Sequence, residues 1–97
     1  MAKLIYSKGA LKNVEHILDF LLQTEPALAY TVIDNIADAI EILQRHPLIG
    51  RPQENEKHEL LISRCKTGYV ALYRYDESLD IVFALAIRHQ REAGYAE

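Results

Sequence analysis

The chain has 97 residues, of which 49% are hydrophobic and 26% are charged, and its formal net charge is −3. This length predicts one domain over residues 1–97 with a single core, and the ordinary composition excludes wholesale disorder. The acidic excess counts against nucleic acid as the main partner, because proteins that bind phosphate backbones usually carry a basic excess.

The cysteine content and the N-terminal sequence exclude several further classes of protein. The single cysteine, Cys65, cannot form an intramolecular disulfide, and no spacing typical of a zinc site occurs. The N-terminal segment MAKLIYSKGALK lacks the apolar stretch of a signal peptide or a membrane span. We therefore expect a cytoplasmic protein with no metal, no cofactor and no membrane partner.

The first 24 residues predict a strand followed by a helix. Lys3–Tyr6 is a short apolar strand candidate, and Ser7 is a candidate N-cap, because its hydroxyl can accept a hydrogen bond from a first-turn amide. Apolar residues then recur at helical spacing, which indicates an amphipathic helix. This stripe consists of Leu11, Val14, Ile17, Leu18, Leu21 and Leu22.

A second amphipathic helix is predicted directly afterwards. Thr24 is its candidate N-cap, and Pro26 suits a first helical turn, where its missing amide costs nothing. Pro47 predicts the end of this helix. Because only two or three residues separate the two patterns, we expect an antiparallel helical hairpin. The apolar stripe of the second helix consists of Leu28, Val32, Ile36, Ile40 and Leu43.

The second half of the chain predicts a surface loop over residues 47–58 and three strands, over residues 60–64, 69–75 and 81–87. The last strand is apolar on both faces, which is typical of a central strand covered by helices. The order β-α-α-β-β-β predicts an α+β fold. In that fold the helical hairpin packs on an antiparallel sheet, and a short C-terminal tail or helix follows.

Three segments in this order resemble the RelE/ParE superfamily of bacterial toxins, and the resemblance covers essentially the whole chain. They are EILQRHPLIGRP at residues 41–52, GYVALYRYDE at residues 68–77 and AIRHQREAGY at residues 86–95. The HPxxGRP and YVALYR elements are most similar to the ParE, or plasmid-stabilisation, members. The resemblance implies a small cytoplasmic toxin of a type II toxin–antitoxin system, encoded beside its antitoxin.

Two activities occur in this superfamily. ParE-like members inhibit DNA gyrase, and RelE-like members cut mRNA in the ribosomal A site. Where RelE-like enzymes cluster cations, this chain carries Glu54, Glu56 and Glu59 around Lys57. The resemblance and the acidic charge therefore favour a gyrase inhibitor without chemistry of its own. A cognate antitoxin would neutralise it in a hetero-oligomeric complex. Two alternatives stay open: a ribosome-dependent mRNA endonuclease, and a member that has lost toxicity and only binds its partner.

Under the endonuclease alternative, the resemblance implies a metal-independent catalytic site. RNA cleavage without a metal needs an orienting group for the 2′-hydroxyl, cations for the developing phosphorane charge and an acid for the leaving oxygen. The matching positions are Arg64, Arg88 and either His89 or Tyr95, with Lys57 as a weaker match.

Each candidate also has a purely structural interpretation. The stems of Arg64 and Arg74 can pack on apolar surface at strand ends, and Arg88 and His89 can cap the sheet or pair with Glu92 and Glu97. Tyr95 lies near the C-terminus, where a frayed tail is common. The strand tyrosines at positions 69, 73 and 75 are interpreted as packing residues and not as a base-stacking platform.

Overall fold

A computed structural model describes residues 1–62, 68–91 and 94–95 of the chain. The elements are β1 (Lys3–Tyr6), α1 (Lys8–Thr24), α2 (Ala29–Glu41), β2 (Arg51–Pro52), β3 (Lys57–Leu61), β4 (Tyr69–Asp76) and β5 (Ile81–His89). A 3₁₀ turn, Ile42–Gln44, continues α2. The predicted α+β class and the predicted order of a strand, two helices and a set of strands are confirmed.

All five described strands belong to one sheet, in the order β1-β5-β4-β3-β2. The pairs β3–β4 and β4–β5 are antiparallel, as predicted, and β2, which the sequence does not predict, also pairs antiparallel with β3. In contrast, β1 lies parallel to β5, so the sheet is mixed. Because the two helices carry the chain from β1 across to the rest of the sheet, β1 need not run antiparallel to its neighbour, as strands joined by tight turns do.

The predicted loop over residues 47–58 contains β2 and the beginning of β3. The two strands form a small hairpin, in which the Gln53 amide donates to the Lys57 carbonyl oxygen over 2.7 Å. Asn55 and Glu56 make its turn with left-handed φ values of 58° and 61°. The sequence has no glycine at this turn to indicate it, so the predicted strand begins at Leu60, three residues after the observed start of β3 at Lys57. Of the predicted strand 60–64, Ser63 and Arg64 lie outside the described residues.

The two predicted helix caps have different outcomes. Ser7 is the N-cap of α1, accepting a hydrogen bond from the Ala10 amide over 3.0 Å and donating its own hydroxyl to the Leu85 carbonyl oxygen over 3.0 Å. The prediction for Thr24 is wrong, because its hydroxyl donates to the Phe20 carbonyl oxygen within α1. The helix α2 begins only at Ala29, without a side-chain cap.

The core lies between the helices and one side of the sheet, which we call the helix face. Its buried residues include Ala10, Ile36, Ile40 and Leu43 from the helical layer and Ala71, Tyr73, Val82, Ala84 and Ile87 from the sheet. The opposite side of the sheet is the far face. Strand pairing places Glu59, Val70, Leu72, Ala86 and Arg88 on it.

A β-bulge between β4 and β5 determines which residues of β5 belong to each face. Tyr73 pairs with Ala84 whereas Leu72 pairs with Ala86, so Leu85 is an extra residue in β5. Beyond it, the alternation of side chains along β5 is shifted by one position. The shift decides the face of every residue at the C-terminal end of this strand.

The loop before β2 is attached to the sheet at Gly50. The Gly50 amide donates a 2.9 Å hydrogen bond to the hydroxyl of Tyr73, whose side chain is fully buried. A Cβ atom on residue 50 would lie only 2.8 Å from the Tyr73 ring and from the Glu59 carbonyl oxygen. This close approach of the loop to the sheet therefore requires a glycine.

We expect Ser7→Ala to lower the free energy of unfolding by about 1–2 kcal/mol, because it removes the N-cap of α1 and the link to β5. Thr24→Ala is the matched control, since that hydroxyl contacts only its own helix and is exposed; it should change stability by less than about 0.5 kcal/mol. Urea unfolding measures both variants. Equal effects of the two substitutions would contradict the capping role.

Gly50→Ala is expected to destabilise the protein by about 1–3 kcal/mol, because either the loop or the Tyr73 ring must shift to admit the methyl group. Gln53→Ala changes an exposed side chain in the same segment and keeps its backbone hydrogen bond, so it serves as the control. Thermal unfolding compares the two. A Gly50→Ala variant as stable as the original protein would show that the approach is looser than the structure indicates.

Candidate functional site

A buried carboxylate lies at the centre of the far face. Glu59 of β3 is only 9% exposed and pairs in register with Arg51 of β2 on one side and with Leu72 of β4 on the other. Leu72 in turn pairs with Ala86 of β5. Because paired residues project from the same side of a sheet, these four residues form a row across four strands.

Two arginines supply positive charge to this carboxylate from opposite sides. Arg51 Nη2 lies 2.5 Å from Glu59 Oε1, although 74% of the Arg51 side chain is exposed. Arg88 is 17% exposed, and its Nη2 lies 3.8 Å from Glu59 Oε2. The other terminal nitrogen of Arg88, Nη1, donates to the carbonyl oxygens of His89 and Gln90 over 3.0 and 3.2 Å. The guanidinium of Arg88 is therefore fixed by the end of its own strand.

Tyr95 completes the arrangement from the C-terminal segment. Its hydroxyl donates a short hydrogen bond to Glu59 Oε2. The guanidinium carbon of Arg88 lies 4.7 Å from the centre of the Tyr95 ring, which is a cation–π distance. Arg51, Glu59, Arg88 and Tyr95 thus form one connected group, which we call the Glu59 cluster.

The electrostatics of the cluster keep Glu59 ionised and Tyr95 protonated. Burial raises the pKa of Glu59, but the hydrogen bonds from Tyr95 and Arg51 and the charges of Arg51 and Arg88 outweigh it, so the pKa of Glu59 lies below its usual value. Burial, followed by the hydrogen bond to Glu59, raises the pKa of Tyr95 well above its usual value. At neutral pH the phenol is therefore a proton donor in a hydrogen bond and not a base.

The predicted catalytic residues do not form one group. Arg88 and Tyr95 lie together in the Glu59 cluster, whereas His89 lies on the helix face, because neighbouring residues of a strand point to opposite sides. The His89 ring packs edge-on against Tyr69 at 5.3 Å, and its Nδ1 accepts a 3.1 Å hydrogen bond from the Arg91 amide. Arg64 lies outside the described residues.

The other polar groups around the sheet contribute less to a site. Lys57 begins β3 and pairs in register with Arg74 on the far face, two residues from Glu59. His89 and Arg91 line a groove of about 410 Å³ beside α1, together with His16 and Phe20. Within residues 1–62, 68–91 and 94–95, no group of three or more His, Cys, Asp or Glu side chains is placed to hold a metal ion.

Sequence reasoning missed Glu59 and Arg51 as members of the site. The sequence pattern predicts a strand that begins at Leu60, which leaves Glu59 in a charged loop, where it counts only as a departure from ribonuclease-like sequences. The available signal was the alternation within Lys57–Leu61, which places residues 57, 59 and 61 on one face. Arg51 had no separate signal, because it belongs to a two-residue strand.

A sequence model described as the ParE toxin of the type II toxin–antitoxin system, parDE, matches residues 4–94. The chain belongs to the ParE toxin family. No curated protein sequence matches the chain significantly. The family match confirms the resemblance that the three sequence segments indicate.

Several solved structures share the fold of this ParE-family chain. The toxin structure of the chromosomal ParDE system from P. aeruginosa superposes with a TM-score of 0.77 at 22% identity, covering 92% of this chain and 96% of that one. A chain of the intact E. coli RelBE complex gives a TM-score of 0.67 at 15% identity, covering 95% and 100%. A chain of the RelBE2 complex from Mycobacterium tuberculosis gives 0.59 at 22%, covering 92% and 98%.

These comparisons show a ParE-like toxin of a type II toxin–antitoxin system. The structural matches include both ParDE and RelBE proteins at low identity, so they establish the fold that the two groups share. None of the helices that the structure describes is long and apolar enough to cross a membrane.

The Glu59 cluster predicts a pH dependence of stability. Since the pKa of Glu59 is lower in the folded protein than in the unfolded chain, its ionised form stabilises the fold above about pH 5, and this contribution is lost as the pH falls through the folded pKa. We expect Glu59→Gln to lower the free energy of unfolding by about 1–3 kcal/mol at neutral pH and to weaken its decrease towards about pH 3. Urea unfolding over a pH series measures this.

Glu54→Gln provides the control for loss of one negative charge, since Glu54 is exposed in the turn between β2 and β3. It should keep the pH profile of the original protein. If Glu59→Gln also kept that profile, the carboxylate would not be the group that links acidification to unfolding.

Proposed function

We propose that this ParE-family toxin acts in the cytoplasm by binding and inhibiting DNA gyrase, and that a cognate antitoxin neutralises it in a hetero-oligomeric complex. The family match supports the toxin class, and the similar ParDE and RelBE structures are toxin–antitoxin proteins. On this proposal the chain is a single toxin domain that works by contact and needs no cofactor.

The observation that carries this proposal is the ionised carboxylate of Glu59 between Arg88 and Tyr95. A ribonuclease needs cations directed at the phosphate as negative charge develops in the transition state. Here Arg51 and Arg88 already face a carboxylate, with Nη2 to oxygen distances of 2.5 and 3.8 Å. A scissile phosphate in the same place would meet a negative charge and lose part of the stabilisation that the arginines provide.

The phenol of Tyr95 has a similar limitation as a general acid. A general acid works best when its pKa lies near the working pH, whereas burial and Glu59 raise the pKa of Tyr95 further above it. Its hydroxyl proton is also directed at Glu59 Oε2. Both oxygens of Glu59 are thus engaged within the cluster, by Arg51 and by Tyr95, as expected of a structural group in a protein that acts by binding.

The ribosome-dependent endonuclease is the second candidate, and one observation favours it. Arg88 and Tyr95, two of the residues that the resemblance assigns to catalysis, are in contact on the same face of the sheet. In this function Arg88 would stabilise the phosphorane charge and Tyr95 would protonate the leaving oxygen, after the ribosome or the mRNA had displaced Glu59. His89 would have no part in the same site, because it lies on the helix face.

Two parallel assays of the purified protein distinguish these functions: DNA supercoiling by gyrase with detection of trapped cleaved DNA, and cleavage of mRNA on programmed ribosomes. We expect inhibition of supercoiling that is relieved by the protein encoded beside the toxin, and no mRNA cleavage. Cleavage without any effect on gyrase would overturn the proposal. Activity in neither assay, from folded protein that still binds the antitoxin, would identify a member that has lost toxicity.

If the protein cleaves mRNA, a matched pair of arginine variants tests whether Arg88 is a catalytic residue. Arg88→Ala should then reduce cleavage by about 100-fold or more, since it removes charge stabilisation in the transition state. Arg74→Ala is the control, because Arg74 also lies on the far face but packs over Phe83 at 5.1 Å and is not part of the Glu59 cluster. Circular dichroism of both variants verifies folding.

A further inference from the structure

A groove on the helix face combines basic and apolar side chains. It lies between α1 and the end of the sheet at which β4 begins and β5 ends, and its volume is about 410 Å³. The residues that line it are His16, Ile17, Phe20, Tyr69, His89 and Arg91. Among the described residues the lining contains no acidic side chain, so a partner that carries negative charge would meet no repulsion there.

Phe20 supplies an apolar surface in this groove that is open to water. It is 63% exposed, and a large apolar residue exposed in a groove is typical of a contact surface. His16 and Arg91 are also exposed. His89 Nδ1 accepts its hydrogen bond from the Arg91 amide, so a neutral His89 ring carries its proton on Nε2 as a donor. The groove therefore suits an apolar side chain accompanied by carboxylates.

The turn between β4 and β5 has the complementary composition. Leu79 in this turn is 62% exposed and lies among the acidic residues Asp76, Glu77 and Asp80. Tyr69 pairs with His89 at one end of the β4–β5 hairpin, and the turn joins the strands at the other end. Because the groove and the turn lie at opposite ends of this hairpin, the turn cannot enter the groove of its own molecule.

The conformation of the turn is fixed by hydrogen bonds within the chain. Asp76 Oδ1 accepts from the Ser78 hydroxyl over 2.7 Å and from the Leu79 amide over 3.1 Å. The Tyr75 hydroxyl donates to Asp80 Oδ1 over 2.6 Å. A segment that is already ordered loses little conformational entropy when it binds. The turn therefore presents Leu79 in a form that is ready for contact.

We propose that the β4–β5 turn of one molecule docks into the groove of a second copy of this chain. Leu79 contacts Phe20 in the groove, and the carboxylates of the turn lie beside Arg91 and His16. The contact joins two different surfaces and is therefore heterologous. It is also small, so we expect a dissociation constant of about 0.1–1 mM. This self-association does not depend on the target of the toxin.

Sedimentation equilibrium of the purified protein, from about 10 µM to about 1 mM, tests the proposal. We expect the average mass to rise above that of the monomer over this range. Phe20→Ser changes the groove and Leu79→Ser changes the turn, and each should weaken association by about tenfold or more. Both residues are exposed, so neither substitution alters the core.

Charge changes give a second, independent pair of variants. Arg91→Glu in the groove and Glu77→Lys in the turn each place like charges across the contact, so each should weaken association. Raising the salt concentration from about 0.05 to about 0.5 M should weaken association of the original protein, because salt screens exposed charges. Circular dichroism verifies that all variants are folded.

A mixture of two variants tests whether the groove and the turn bind each other. Phe20→Ser keeps an intact turn and Leu79→Ser keeps an intact groove. We therefore expect the two variants to stay monomeric alone and to associate with each other when mixed. Leu61→Ser is the matched control, because Leu61 is 48% exposed on the far face and belongs to neither surface; it should associate like the original protein.

Three results would overturn the proposal. The original protein could stay monomeric at about 1 mM, or the mixed variants could stay monomeric although each is folded. In the third, the original protein would be monomeric and Phe20→Ser would lose binding of the cognate antitoxin, which would assign the groove to the antitoxin and not to a second copy.

Discussion

A carboxylate that is only 9% exposed must receive hydrogen bonds or positive charge, and this requirement at Glu59 organises the far face of the sheet. Three other parts of the chain meet it. Arg51 comes from the edge strand β2, Arg88 from the inner strand β5, and Tyr95 from the C-terminal segment. Without Glu59, both arginines would lose the carboxylate beside which they lie, and the Tyr95 hydroxyl would lose its hydrogen-bond acceptor.

The position of Arg51 depends in turn on the attachment of the preceding loop. Gly50 can approach the sheet closely because it has no side chain, and its amide is fixed by the buried hydroxyl of Tyr73. That contact lies one residue before Arg51, so it directs the edge strand to pair with β3. The core on the helix face and the cluster on the far face are therefore linked through Tyr73, which belongs to the core and also holds the loop that carries Arg51.

The separation of the two faces also bears on the chemistry of the site. Arg88 and His89 are adjacent in sequence, yet the sheet lies between their side chains. The Glu59 cluster contains two arginines, one carboxylate and one phenol whose pKa is raised, and both carboxylate oxygens are already engaged by Arg51 and Tyr95. Such a group stabilises the conformation of the far face, but the positive charge of its arginines is largely offset by Glu59 and is less available to a phosphate. This is the physical reason for our proposal that this member of the ParE toxin family acts by binding.

The sequence by itself determined the α+β class, the helical hairpin, the Ser7 cap and the family, because these follow from local periodicity, capping chemistry and ordered motifs. It also named Arg64, Arg88, His89 and Tyr95 as candidate catalytic residues under the endonuclease alternative. Only the tertiary structure decided which of them meet. If side chains alternated strictly along β5, Arg88 would lie on the helix face together with Val82 and Ala84. The extra residue Leu85 shifts the alternation by one position, so Arg88 lies on the far face. The hydrogen bond between Tyr95 and Glu59 joins residues 36 positions apart in sequence. Local sequence patterns cannot predict such a contact, because it forms only when the sheet has folded.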